Sequence, residues 1–270
     1  MKEGYNENTD LVIDDLRTIE RKSLLYLSEV EYGDFCINHV EGCSHGCKYP
    51  CYAYLTKKRF NKVSSYEDWC KYKVVSNALE LLEKEIKKYK KIIKFVFLSF
   101  STDPFMYGQQ QVCDLTLKII EKLNSNGISC TLLTKGILSP ELDNFHRFSN
   151  TNEYGVTLVS LNESFRAEYE PNAAKLEDRL AALEYLHSSG YKTWVSMEPY
   201  PTPTFIEQDL MEILDAISFV DKIIFGRWNY SGKSSEFPNS KEYYNDLALS
   251  VIDFCKRNKI ECYIKEGTQT

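Results

Sequence analysis

The sequence has no apolar run approaching the roughly 20 residues that a membrane-spanning helix needs. Its first residues, Met1-Lys2-Glu3-Gly4-Tyr5-Asn6, lack the apolar core of a secretory signal. A cytoplasmic protein without a membrane segment is therefore expected. Low-complexity tracts, sequence repeats and glycine-rich phosphate loops are missing as well. Basic residues are not in excess: 33 Lys and Arg stand against 39 Asp and Glu, a net charge of −6. A protein that works by wholesale phosphate neutralisation is normally basic, which argues against nonspecific nucleic-acid coating and leaves room only for a local basic groove. The 4 histidines form no His/Asp/Ser or metal pattern, and His146 and His187 read as helix-surface residues.

What is present is apolar and aromatic material, 43% hydrophobic residues with 14 Phe and 19 Tyr. That composition buries a sizeable core and excludes a disordered or collagen-like chain. A length of 270 residues suits two domains or one α/β barrel. Short β-branched or aromatic runs alternate with amphipathic segments. Strands are expected at Asp34–Val40, Lys94–Phe100, Ile128–Thr134, Tyr154–Ser160, Tyr191–Glu198 and Lys222–Gly226. Helices are expected near Tyr66–Tyr89, Gln110–Asn126, Ser139–Phe148, Lys175–Ser189, Ile206–Ile217 and Lys241–Arg257, with Gly127 and Gly190 as stops. Such alternation builds right-handed βαβ units and a parallel sheet, either open and doubly wound or curved into a partial barrel. In both, ligands gather at the C-terminal strand ends.

Nine cysteines in a chain expected inside the cell point to metal or redox chemistry before disulfides. Three of them fall in Glu41-Gly42-Cys43-Ser44-His45-Gly46-Cys47-Lys48-Tyr49-Pro50-Cys51, a Cys-x3-Cys-x3-Cys spacing. Three thiolates on one short loop suit three irons of a [4Fe–4S] cube and leave the fourth iron for an exogenous ligand. Structural zinc prefers four closed ligands, and His45 supplies the fourth only if the loop folds back tightly. A zinc-binding interaction module, and an iron–sulfur sensor or electron carrier, are the alternatives. Cys36, on the preceding strand, reads as a small buried apolar residue. The basic stretch Lys84–Lys91 reads as a solvated helix face, and Lys57-Lys58-Arg59 lies soon after the loop.

Over about residues 23–230 these segments resemble the radical S-adenosylmethionine (SAM) superfamily, in its spore photoproduct lyase-like branch. Gly42 to Tyr49 followed by Cys51-Tyr52-Ala53 is similar to that branch's cluster loop, with one extra residue, Pro50, in the last interval. The resemblance implies a partial (β/α)6 TIM-type barrel over residues 31–270, preceded by an N-terminal extension, 1–30. It implies a [4Fe–4S] cluster on Cys43, Cys47 and Cys51, and an oxygen-sensitive enzyme. SAM would be cleaved reductively to a 5′-deoxyadenosyl radical that takes hydrogen from the substrate.

On the same grounds, Thr102 and Asp103 would receive the SAM ammonium, while Lys135 and Ser160 would meet its carboxylate. Tyr49, Tyr52 and Asn229 would lie against the cofactor. Glu170 and Arg179 match another block of the branch and are read as a structural ion pair rather than a ribose contact. A reducing partner such as flavodoxin or ferredoxin is implied, and a companion protein is compatible with it. DNA-lesion repair is not carried over: the repair enzymes have a hydrogen-donor cysteine where this chain has Phe100 between Ser99 and Ser101. A nucleoside or nucleic acid, a peptide and a small metabolite stay open as substrates.

Overall fold

Along the central strands every second side chain enters one large apolar core, and the residues between them face the opposite side of the sheet. The computed structural model describes residues 17–28, 33–98, 101–229 and 237–270. In chain order its strands are β1 Thr18–Ile19, β2 Leu25–Leu27, β3 Phe35–Ile37, β4 Val40–Glu41, β5 Lys73–Val75, β6 Phe95–Leu98, β7 Ser129–Thr134, β8 Glu153–Thr157, β9 Lys192–Tyr200, β10 Lys222–Arg227 and β11 Glu261–Ile264. The helices are α1 Tyr52–Arg59, α2 Tyr66–Cys70, α3 Ala78–Tyr89, α4 Gln110–Asn124, α5 Glu163–Tyr169, α6 Leu176–Ser188, α7 Leu210–Ala216 and α8 Ser240–Asn258.

The main sheet runs β11-β10-β9-β8-β7-β6-β3-β2. All neighbours from β3 to β11 are parallel, and β2 is an antiparallel edge. The two edges do not pair, so the fold is the expected partial barrel. A small second sheet, β1-β5-β4, sits beside the cysteine loop.

Ile37, Val96, Leu132, Val156, Val195 and Ile223 pack with Leu82, Leu117, Ile120, Leu183 and Val251 of the helices in one core. The alternate residues Phe97, Thr131, Thr157, Trp194, Ser196 and Ile224 are buried outside that core, on the concave side. Trp194 Nε1 donates to Thr131 Oγ1 at 3.1 Å. Its ring covers Gly155, where a Cβ would come within 2.4 Å of it. The lumen floor is thereby filled, and the C-terminal strand ends are left to form a site.

Several expected elements differ. The helix expected over Tyr66–Tyr89 is interrupted: Ser65 caps α2 by accepting from Asp68 N at 3.0 Å, then Lys73–Val75 pairs as a strand before α3 begins. Val74 and Val75 are β-branched and buried, which suits a strand better than a helix. Ser139–Phe148 yields only a 3-10 turn at Pro140–Leu142. Asn144 there bonds its own backbone, Oδ1 accepting from His146 N at 3.1 Å, and competes with helix formation. The strand expected over Asp34–Val40 stops at Ile37, and Val40–Glu41 joins the small sheet.

The helix expected from Ile206 starts at Leu210, capped by Asp209, which accepts from Met211 N at 2.7 Å. α1, α5 and β11 were not expected. Thr18–Leu27, within the expected N-terminal extension, supplies β1 and β2, and Glu85 Oε2 accepts from Leu24 N and Leu25 N at 2.9 and 2.7 Å. Ser99, Phe100 and Tyr230 lie outside the described residues, as do residues 1–16 and 29–32 of the extension and its junction. Among the described residues, no helix is long and apolar enough to cross a membrane.

Candidate functional site

The loop carrying Cys43, Cys47 and Cys51 is held by backbone groups of Trp69, Tyr169 and Asn172 and by the side chains of Tyr66 and Asn172. Gly42 takes φ +90°, and a Cβ there would stand 2.4 Å from the Trp69 carbonyl oxygen, so no other residue fits. Cys43 N donates to Trp69 O at 3.1 Å, Lys48 N to Tyr169 O at 2.8 Å, and Asn172 N to His45 O at 3.1 Å. Asn172 Nδ2 adds a bond to Ser44 O at 3.1 Å, and the Tyr66 hydroxyl donates to Cys47 O. Cys51 is the N-cap of α1, its carbonyl accepting from Leu55 N at 2.9 Å, so Pro50 is the last residue before the chain turns into the helix. All three thiols are unpaired and half-buried. Burial pushes the Cys47 thiol up to about 12 against the pull of the Lys135 ammonium. Burial raises Cys43 well above its usual range, with the charges of Asp103 and Cys47 adding to it.

His45, between the first two cysteines, points inward. Its Nε2 accepts from Tyr107 N at 2.9 Å, so the proton sits on Nδ1, which faces Asp103 Oδ2 at 3.5 Å. Burial lowers its pKa and keeps the ring neutral, although Asp103 works the other way. Both ring nitrogens are engaged, and a fourth zinc ligand is not available from this residue. Nor do any three His, Cys, Asp or Glu side chains among the described residues converge on a point that one ion would fill.

Asp103, in the turn after β6, is the hub. Oδ1 accepts from Phe105 N at 3.0 Å and Thr134 Oγ1 at 2.6 Å, while Oδ2 accepts from Lys135 N at 2.8 Å and faces His45. The ends of β6 and β7 and the cysteine loop therefore share one buried carboxylate. A second knot lies on the other side of the loop. The Tyr49 hydroxyl donates to Glu170 Oε1 at 2.5 Å, and Glu170 Oε2 pairs with Arg179 Nη2 at 2.6 Å. Arg179 is fully buried and also donates to the carbonyls of Ala174 and Thr157. Burial raises the Glu170 carboxyl, yet Arg179, Lys135 and Tyr49 overcome it and hold it below its usual range. The Lys135 ammonium lies 5.3 Å from the Tyr49 ring centroid. Burial opposes its charge, but Glu170 and Cys47 win and its pKa is raised.

Of the residues expected at the site, Tyr49, Asp103 and Lys135 meet around the cysteine loop. Tyr49 is buried edge-on against Trp228, their centroids 5.5 Å apart, and its polar end is spent on Glu170. Thr102 is next to Asp103, and its Oγ1 is buried without a hydrogen-bond partner, as is Ser44 Oγ in the loop itself. Ser160 is buried, and its Oγ accepts from Asn162 N at 3.0 Å, which leaves its O–H to donate. Asn229 Oδ1 accepts from Arg227 Nε at 2.8 Å at the end of β10. Tyr52, the first residue of α1 and next to Cys51, is 50% exposed. The sequence reading missed Thr134, the inward turn of His45 and the Tyr49–Glu170 tie. Each depends on strand order, for which a local motif carries no signal.

These features fit an iron–sulfur site. A cube offers separate metal corners, so three thiols spread along a loop serve it without converging on one point. Two orphaned hydroxyls beside the loop are places for a polar ligand to bind.

Comparison with known proteins agrees on the fold. Spore photoproduct lyase complexed with dinucleoside spore photoproduct superposes with a TM-score of 0.68, at 14% identity, covering 91% of this chain and 80% of that one. A mutant of that lyase with bound AdoMet and the dinucleoside gives 0.67 at 14% identity, covering 92% and 80%. An uncharacterised protein, ORF301, of Acidianus two-tailed virus is 26% identical over 190 residues, 68% of this chain and 61% of that relative. The chain thus spans under two thirds of that relative's length. Residues 37–217, from the end of β3 into the turn after α7, match the Radical SAM superfamily. With that match covering most of the chain, the protein belongs to the Radical SAM superfamily.

Proposed function

We propose that Cys43, Cys47 and Cys51 ligate a [4Fe–4S] cluster whose fourth iron binds SAM, and that residues 31–270 form the catalytic barrel. When bound and reduced, this pair supplies a 5′-deoxyadenosyl radical that removes a hydrogen atom from the substrate. The observation that carries the reading is the loop itself: three unpaired thiols, pinned by backbone bonds from several elements, beside two buried hydroxyls that lack partners.

The chain's own groups divide the remaining work. Thr102 offers its free hydroxyl to the SAM ammonium. Asp103 adds charge there, three of its acceptor positions being taken by Phe105 N, Thr134 and Lys135 N while His45 Nδ1 faces it at 3.5 Å. Lys135 and the Ser160 hydroxyl face the carboxylate, and Tyr49, Tyr52 and Asn229 bound the rest of the cofactor. A low-potential reductant such as flavodoxin or ferredoxin supplies the electron, and a cytoplasmic location suits nine unpaired cysteines. The substrate class is a nucleoside or nucleic acid, a peptide or a small metabolite, delivered alone or by a companion protein. The lyase of the solved structures binds a dinucleoside, which favours the first of these.

A zinc module gains no support from His45, whose Nε2 accepts from Tyr107 N while Nδ1 faces Asp103. The test is iron and sulfide analysis after anaerobic reconstitution. Four irons and four sulfides per chain are expected in the parent protein (about this ratio for one cube), with most of both lost in Cys43→Ala, Cys47→Ala and Cys51→Ala. Stoichiometric zinc without sulfide would refute the reading.

A further inference from the structure

On the concave side of β9, β10 and β11 a glycine leaves room for two charges to meet. Cys262 and Ile264 pack on the main core, so Tyr263 and the following Lys265 face the other way. Ser196, Ile224 and Tyr263 stand in register across the three strands and form one concave row. Glu198, Gly226 and Lys265 form the next row toward the C-terminal strand ends, with Lys265 N donating to Phe225 O at 2.9 Å. A Cβ at Gly226 would stand 2.9 Å from Glu198 Cγ and Cδ and 3.0 Å from Lys265 Cγ. Without it, Glu198 Oε2 and Lys265 Nζ approach across β10 to 3.7 Å.

At that distance the contact is an attraction of charges and not a hydrogen bond. The pair at the opposite end of the sheet differs: Lys222 Nζ donates to Glu153 Oε2 at 3.1 Å, at the strand starts, which carry stability rather than ligands. Glu198 and Lys265 are 27% and 24% exposed, so a ligand reaches both. Tyr263, in the row below, is 37% exposed and offers a flat aromatic face. Trp228, just past the end of β10, packs edge-on against Tyr49 with centroids 5.5 Å apart, so the pair opens at the same end of the barrel as the cysteine loop.

We propose that Glu198 and Lys265 read the substrate, and that the group they read is a guanine base. The proposal rests on the radical SAM reading above and names a substrate class for it. A carboxylate beside an ammonium matches a planar edge that presents N–H donors next to a carbonyl oxygen. Guanine alone among the standard bases offers a carboxylate two neighbouring N–H groups, on N1 and N2, with O6 adjoining for the ammonium. Its ring has the Tyr263 face to stack on. Insertion exchanges one long ion contact for short charge-assisted hydrogen bonds to both partners. A peptide with free termini also carries opposite charges, but it makes no use of the aromatic face. The role of the pair is recognition, and no bond of the base changes there.

The experiment measures binding of guanosine, inosine, adenosine, cytidine and uridine to the full reconstituted chain by anaerobic calorimetry, without reductant. The parent, Glu198→Gln, Lys265→Met and Gly226→Ala are compared, each with a urea midpoint that reports its folding. Gly226→Ala keeps both charges and wedges them apart. The parent should bind guanosine about tenfold or more tightly than inosine, which lacks the N2 amine, and more tightly than the other nucleosides. Glu198→Gln should erase the preference for guanosine over inosine. Lys265→Met should weaken both alike, about tenfold, because both carry O6. Gly226→Ala should lower guanosine affinity.

No guanosine binding by the parent, equal binding of inosine, or a preference that survives Glu198→Gln overturns the proposal. So does a tripeptide with free termini that binds while guanosine does not. A lowered urea midpoint in Glu198→Gln with an unmoved nucleoside ratio shows a purely structural pair and overturns it as well. Where that variant fails to fold, the nucleoside series on the parent and Gly226→Ala decides. If the reconstituted parent leaves SAM intact under dithionite, the cluster reading falls, whereas the nucleoside ratios still read the pair.

Discussion

His45 Nδ1 faces Asp103 Oδ2 at 3.5 Å, and this contact joins the cysteine loop to the turn after β6. The histidine is neutral and the carboxylate buried, so the contact is an electrostatic approach of the ring to the carboxylate that orients the loop. Asp103 bonds Lys135 N and Thr134 as well, which makes one residue the register pin for three adjacent segments.

Asp103→Asn should therefore lower stability before it alters chemistry. The amide keeps one acceptor oxygen and turns an NH2 toward donors, which costs about 2–4 kcal/mol for buried partners of a charged group. Urea unfolding of the apoprotein measures it. A change below about 0.5 kcal/mol would contradict the hub role.

Arg179→Met should leave Glu170 buried beside the Lys135 charge alone. A loss of about 3–5 kcal/mol is expected from stranding a buried carboxylate. The double variant Arg179→Met/Glu170→Gln should recover part of it, and urea midpoints of the four proteins in the cycle decide the matter.

Thr102→Val removes a hydroxyl that has no partner in the ligand-free protein. Apoprotein melting should stay the same or rise slightly, within about 1 kcal/mol. SAM affinity of the reconstituted protein should fall about tenfold, the loss of one hydrogen bond to a charged group. Equilibrium dialysis with labelled SAM reads the second effect, and a matched loss of apoprotein stability would point to a packing role instead.

Acid should destabilise the fold earlier than carboxylates alone require. His39 is buried, its Nε2 2.7 Å from Thr116 Oγ1, which gives its own hydroxyl proton to a carbonyl. Nε2 is thus the donor and Nδ1 bears no proton. Burial, helped by the Arg21 charge, lowers the His39 pKa to about 3. An unfolded His takes up a proton near 6.5, so this contribution is complete above that pH and is lost as pH falls toward 3. The loss is roughly 3 kcal/mol between pH 7 and pH 4. Glu170, held below its usual range, adds stability above about pH 4.5 that disappears below it. Urea midpoints across this range should drop, with a shallower slope in His39→Leu. Equal slopes would contradict the assignment.

The barrel was legible because its evidence is periodic. Two-residue alternation in Val96–Leu98 or Val195–Met197, and three-to-four spacing in Leu176–Leu186, each report which face is buried. The cysteine spacing was legible because it is local. Less could be read where partners come from distant segments: Tyr49 seeks Glu170, 121 residues on, and His45 seeks Asp103. The break at Lys73–Val75 depends on β4 offering a partner strand, which helical spacing in Leu81–Ile86 cannot disclose. α1 escaped detection because it buries almost nothing and so carries no apolar period.

The most direct measurement is 5′-deoxyadenosine formation by anaerobically reconstituted protein given SAM and dithionite, with Cys47→Ala beside it. The account predicts 5′-deoxyadenosine from the parent and none above background from the variant. Intact SAM with the parent, or equal product from Cys47→Ala, would contradict it.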